Sequence, residues 1–281
     1  MSDFFKIKFL VLLSIIILFG QAKMPRYDYD LGDWITIKNF NYVTSLTEAP
    51  RYIYFGTTGG VIPYQKFDKL EEAAYTTSDG MANDYVTAVY FDNTTQILWA
   101  GHRLGVSFLT PTAERWTNCI NYDQPADRVT AIGSDGLNIF VLLRNGERLT
   151  LDSQTGYKKM NSTNNSSKNI QWNVSASEQP VEFDGIYTTG DKYWVKNDGY
   201  VEDREFREYP WNLKYVNAMN ELYGGVFGLG YIVGSERLQV FTIHPSGVLK
   251  NYVNVFDLSE RYLWAGSDDN QQRYKQERNG I

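Results

Sequence analysis

Two histidines, His102 and His244, and one cysteine, Cys119, are all the imidazole and thiol in the 281 residues. A nucleophilic triad or a histidine-rich metal site needs more than that at fixed spacing. No Cys-x-x-Cys pair, Gly-x-Ser-x-Gly elbow, His-Glu-x-x-His helix or phosphate-binding Gly-x-x-x-x-Gly-Lys loop occurs. Asp268-Asp269-Asn270 lacks the alternating spacing of a calcium loop. No metal or other cofactor is expected, and Cys119 has no mate for an internal disulfide. What the residues offer instead is recognition. Tyr42, Tyr85, Tyr215 and Tyr252 each stand immediately before a recurring Val-led segment, with Arg128 and Pro180 in the corresponding places of two more. A tyrosine presents a flat apolar face and a hydroxyl, which suits a sugar ring or a peptide. The competing use of such repeated rings is to wedge between packed elements. His102 and Arg103 belong to a later turn of the unit that Tyr85 opens.

These residues acquire meaning through the elements that carry them, and the elements repeat. Val43-Thr44-Ser45-Leu46, Val86-Thr87-Ala88-Val89 and Val129-Thr130-Ala131-Ile132 are spaced 43 residues apart. Weaker copies start at Val181, Val216 and Val253. About ten residues after each start comes a β-rich run, as in Leu98-Trp99-Ala100-Gly101, Tyr231-Ile232-Val233-Gly234 and Leu263-Trp264-Ala265-Gly266, and third and fourth runs follow. Four short strands per unit of about 40 residues is the arithmetic of a β-propeller blade. The expectation is an all-β fold of six four-stranded blades over residues 23–281, with residues 33–37 as the strand that closes the last blade. A polar low-complexity stretch at about 160–173 reads as a surface insertion. In a propeller, the loop entering the innermost strand and the loop joining the second and third strands open on one face. Tyr42, Tyr85, Tyr215 and Tyr252, with Arg128, His102 and Arg103, are therefore expected to ring one mouth of the central tunnel.

Composition narrows the partners. A hydrophobic fraction of 43% with 15% aromatics can bury a large core, and a net charge of -6 without a basic cluster excludes a nucleic-acid surface. Lys6 and Lys8 precede the apolar run 9–19, broken only by Ser14, and Gly20-Gln21-Ala22 supplies small residues at a cleavage site. Residues 1–22 thus read as a secretory signal peptide, with an uncleaved N-terminal anchor as the alternative. No second such run follows, so no membrane insertion is expected after cleavage, and the protein is expected to be periplasmic or extracellular.

The segment 75–89 (YTTSDGMANDYVTAV), followed by Ile97-Leu98-Trp99-Ala100-Gly101-His102 and Gly105-Val106-Ser107, resembles the two-component regulator propeller repeat of bacterial exported proteins. The match is closest in the second unit, good in the first and last, and poor in the third to fifth. The resemblance implies an exported propeller akin to the sensory part of hybrid histidine kinases that respond to glycans, or to propellers accessory to secretion systems. The transmembrane, kinase and receiver portions are not among these residues, so signalling through a kinase of its own is not expected. The reading is a non-catalytic propeller that binds a glycan, a peptide or an envelope protein at the tunnel mouth. The alternatives are an interaction scaffold of the envelope or secretion machinery, and a glycan-active hydrolase or lyase. The last would need two carboxylates a few ångströms apart, for which no signature is present, and the Ser-x-Asp-x-Gly-x-Thr-Trp box of sialidase propellers is missing.

Overall fold

The computed structural model describes residues 38–121, 128–159, 169–182, 187–189, 193–248, 255–258 and 263–266. They form β-sheet throughout, apart from one 3-10 turn at Thr77–Asp79. Strands β1 (Val43–Glu48), β2 (Tyr52–Thr57), β3 (Gly60–Gln65) and β4 (Leu70–Glu71) make an antiparallel meander. Strands β5 (Val86–Asp92), β6 (Ile97–His102), β7 (Gly105–Leu109) and β8 (Thr117–Asn121) repeat it. A third copy runs through β9 (Val129–Ser134), β10 (Asn138–Leu143) and β11 (Arg148–Asp152). The first strand of each copy is buried on both faces because the sheets stack against one another, which explains buried positions in succession rather than strict alternation.

The Val-Thr pair is the joint between sheets. Thr44 Oγ1 lies 3.0 Å from the Gly56 carbonyl oxygen in its own sheet and 2.8 Å from that of Val86 in the next. Thr87 Oγ1 repeats the arrangement at 3.2 Å from Gly101 and 2.5 Å from Val129. Gly56, Gly101 and Gly225, each on a second strand, admit the valine of the neighbouring sheet: a Cβ added at Gly101 would lie 2.4 Å from Val129 Cγ1, and one at Gly225 would lie 2.6 Å from Val43 Cβ. The sheet containing Gly225 therefore packs on the first sheet, the first on the second, and the second on the third.

The chain continues with β12 (Gln171–Trp172), β13 (Val174–Ser175), β14 (Thr188–Thr189), β15 (Trp194–Val195) and β16 (Tyr200–Glu202), then β17 (Glu208–Val216), β18 (Glu221–Val226), β19 (Gly230–Ser235) and β20 (Val240–His244). Where four-stranded fourth and fifth units are expected, a single seven-stranded sheet forms in the order β14-β20-β19-β18-β17-β16-β15. β14 and β15 follow one another in the chain yet end opposite sides of that order, so the sheet curls into a half-barrel around Trp211, whose ring meets Phe241 edge-on at 4.5 Å. The expected start at Val216 is displaced. Trp211 and Leu213 pair with Val226 and Gly225 across a register shift, as Val43 and Ser45 pair with Thr57 and Gly56. Val216-Asn217 instead leads into a turn, where Asn217 Oδ1 accepts from the Met219 and Glu221 amides at 2.9 and 3.0 Å. The run 231–234, expected on a second strand, lies in the third strand β19. From the sixth unit, β21 (Val255–Leu258) and β22 (Leu263–Gly266) form a hairpin.

Residues 1–22, the expected closing strand 33–37 and the end of the chain lie outside the described residues. The nearest described segment, 38–41, docks just after β20, in the fifth unit. Phe40 donates its amide to the Ser246 carbonyl at 3.2 Å, Val248 donates to the Lys38 carbonyl at 2.9 Å, and Asn41 Oδ1 accepts from the Ser246 amide at 2.9 Å.

The polar insertion reaches into the described residues. Residues 160–168 lie outside the described residues, but 171–181 form a strap along the inner edges of three sheets. Gln171 and Trp172 pair with Ser134 and Gly133 of β9, and Val174 and Ser175 with Leu46 and Ser45 of β1. The Ser177 and Val181 amides donate to the Asn212 and Trp211 carbonyls of β17, both at 2.8 Å. Asn173 anchors the strap twice: its amide donates to the Ile132 carbonyl, and its Oδ1 accepts from the Ile132 amide, each at 2.9 Å.

Candidate functional site

At the entering end of the inner strands in the first three units, the residue before the first strand lies against the turn joining the second and third strands. Thr58 donates to the Tyr42 carbonyl and Arg144 to the Arg128 carbonyl, both at 3.1 Å. The Arg103 guanidinium sits 3.8 Å above the Tyr85 ring. These contacts occupy the rings within the protein: Arg103 covers a face of Tyr85, and Tyr42 meets Phe227 edge-on at 4.9 Å. His102 is fully buried. Its Nδ1 accepts from the Leu104 amide at 3.2 Å, so the proton resides on Nε2, which donates to Ser107 Oγ at 2.9 Å, and Ser107 in turn donates to Asn118. Burial holds the His102 pKa down at about 4. In this tautomer the imidazole cannot take the Ser107 proton, so His102 and Ser107 do not make a nucleophile and base pair. Tyr252 lies outside the described residues. Tyr215, shifted with its strand, stands at the opposite end of the sheets, where β17 turns into β18.

At that opposite end a cleft of about 280 Å³ opens between β1, the end of β5 and the strap. Glu48, Lys66, Tyr90, Phe91, Asn93 and Tyr215 line it together with residues 171–174. A second hollow of about 240 Å³ shares Tyr90, Asn93 and Gln171 and adds Asp92, Ser134 and Asp135. Trp172, partly exposed, supplies ring surface, Tyr90 borders both hollows from the buried core, and the inner strands fix the remaining groups. Glu48 is the hub: its carboxylate accepts from Lys66 Nζ and the Tyr215 hydroxyl, each at 2.7 Å, and from Asn217 Nδ2 at 3.4 Å. Burial alone would raise the Glu48 pKa, but these donors outweigh it and the net direction is down. Burial and the Glu48 charge both push the Tyr215 phenol up. Asp92 and Asp135 hold their own turns, accepting from Thr95 Oγ1 at 2.7 Å and from the Asn138 amide at 2.8 Å. A carboxylate held ionised by three donors suits orientation of a ligand rather than proton donation.

Of the residues expected to share one mouth, the structure brings Tyr42, Tyr85, Arg103 and Arg128 to the entering end, leaves His102 inside its sheet, and sends Tyr215 to the cleft. Glu48, Lys66, Tyr90, Asn93 and Trp172 were not among the expected site residues. One signal for them was available: Asp92 and Asp135 recur at the 43-residue period where the inner strands end.

No family model and no curated relative matches the chain. Among solved structures it is similar to the extracellular domain of a putative one component system from B. thetaiotaomicron, at 11% identity and TM-score 0.36, covering 87% of this chain and 27% of that one. It is also similar to the extracellular domain of a putative hybrid two component system from the same organism, at 16% identity and TM-score 0.29, covering 78% and 35%. A third likeness is to AztD from Citrobacter koseri, at 9% identity and TM-score 0.34, covering 73% and 48%. The chain thus spans less than half the length of each. TM-scores below 0.4 leave these as likenesses, and fold and site rest on the chain's own contacts.

Proposed function

We propose that this chain is an exported, non-catalytic propeller that binds a glycan or a peptide in the cleft at the turn end of its innermost strands. The observation that carries this reading is the cleft itself, whose lining joins the exposed Trp172 ring to the Glu48 hub on strands braced by neighbouring sheets. The propeller assignment rests on the Thr44 and Thr87 joints, which recur at the sequence period. Export to the periplasm or beyond rests on the N-terminal sequence, and a sensory role on the resemblance of residues 75–107. The absence of catalysis is supported by the donor-saturated Glu48 and by the His102 tautomer. The test is a thermal-shift screen against glycans and peptides, since a ligand bound by the native state raises its melting point. A shift lost in Trp172→Ala and kept in Tyr85→Ala supports the cleft; a shift lost only in Tyr85→Ala moves the site to the entering end.

A second reading, an interaction scaffold for another envelope protein, is favoured by one observation. Phe67, Leu137, Met219 and Leu238 are exposed apolar residues on turns at the cleft end, where a partner protein would cover them. Replacing all four with Ser would weaken such a partner's binding and leave small-ligand binding intact.

A further inference from the structure

Thr47, Tyr90 and Gly133 hold one position in the first three units, 43 residues apart on their inner strands. Thr47 and Tyr90 line the cleft. Gly133 has no side chain, and the strap fills the space: a Cβ added there would lie 2.9 Å from Trp172 Cε3 and 2.6 Å from the Gln171 carbonyl oxygen. The third unit therefore borrows its ring from another segment. A ring bonded to an inner strand stays with its sheet, whereas this one goes where the strap goes. The strap is held mainly by main chain, through ladders of two residues and the amides of Asn173, Ala176, Ser177 and Val181. Its partly buried apolar side chains are few, Val174, Ala176, Pro180 and Val181, while Gln171, Trp172, Ser175 and residues 177–179 are exposed. The strands beneath it are packed differently, with Val43 and Leu46 of β1 and Val129 and Ile132 of β9 fully buried. A segment with few buried apolar contacts opens at lower free energy than the packed sheets that carry it.

We propose that residues 171–181 are a lid on the cleft, lifting as one unit that carries Trp172 off its seat on Gly133 and opens one wall. That this opening serves a ligand rests on the reading of the cleft as the ligand site; the movement itself is measured without a ligand, so the two fail separately. The test is native-state hydrogen exchange of the full chain in urea below the unfolding transition. The amides of Asn173, Ala176, Ser177 and Val181, with that of Ile132, which donates to Asn173 Oδ1, are expected to share one opening. It should be at least about a hundredfold more frequent than the opening of the β2 and β6 amides. Gly133→Ala, which sets a methyl against the ring and the Gln171 carbonyl, should make the shared opening at least about tenfold more frequent and leave β2 and β6 unchanged. Hydroxyl-radical labelling of Tyr90, buried at the border of both hollows, should rise in the same variant. Strap amides that exchange only when the sheets unfold, or at unrelated rates, overturn the lid, and the wild-type protein alone decides this. A strap that opens more often in Gly133→Ala while Tyr90 labelling stays at the wild-type level overturns its role at the cleft.

Discussion

At the scale of single residues, His102 shows how a side chain drawn from a functional vocabulary can serve the fold. An unfolded chain protonates this imidazole as pH falls through 6.5, whereas the folded protein resists until about 4. Its contribution to stability is therefore complete above pH 6.5 and declines as pH drops toward 4, by on the order of 3 kcal/mol over the full window. In His102→Gln, an amide can still donate to Ser107 and nothing titrates, so the melting temperature should fall less between pH 6.5 and 4.5. The remaining slope should include that of His244, which burial also holds down. An unchanged slope in the variant would contradict the assignment. Gly101 is the complementary case, a residue defined by the space it leaves. Gly101→Ala sets a methyl against Val129 and should cost about 1–3 kcal/mol in urea unfolding; the wild-type midpoint would show that the sheets do not meet there.

At the scale of elements, the strap is the least expected feature. Its ladders are only two residues long on each side, so much of its hold falls to Asn173. Asn173→Ala should leave the Ile132 amide short of a partner and cost about 1–3 kcal/mol. Faster amide exchange confined to 44–46, 132–134 and 171–176 would mark the strap as the origin, whereas uniformly faster exchange would contradict its local role. The sequence made the first three units plain, because Val43, Val86 and Val129 are both the repeat and the strand starts. It misplaced the later ones for a physical reason. In β17 the buried inner position is filled by Trp211, while a Val-Asn-Ala-Met look-alike falls in the turn that Asn217 caps. The strap was hidden because it is held by main chain and one carboxamide, and leaves no apolar periodicity to read.

At the scale of the whole molecule, the candidate site was half legible. The sequence placed recognition where inner strands end around an axis; in the structure Arg103 lies over Tyr85, and the Arg128 carbonyl accepts from the Arg144 amide of the following turn. The sequence chose the entering end because tyrosines recur there, yet Tyr42 and Tyr85 are engaged by Phe227 and Arg103. The opposite end gathers turns from different units with the strap, a convergence that no local pattern announces. The N-terminal segment contributes to this assembly by tying the first sheet to the segment after β20. Deleting residues 23–41 should therefore lower the melting temperature sharply, and an unchanged melt would refute that tie.

The central claim, that ligand enters the cleft at the turn end, is tested most directly by hydrogen–deuterium exchange of the full chain with and without a ligand found by thermal shift. The account predicts protection concentrated at 46–50, 90–93 and 171–174, with 42–43, 85–86 and 102–104 unchanged. Protection at the latter segments and none at the former would contradict it.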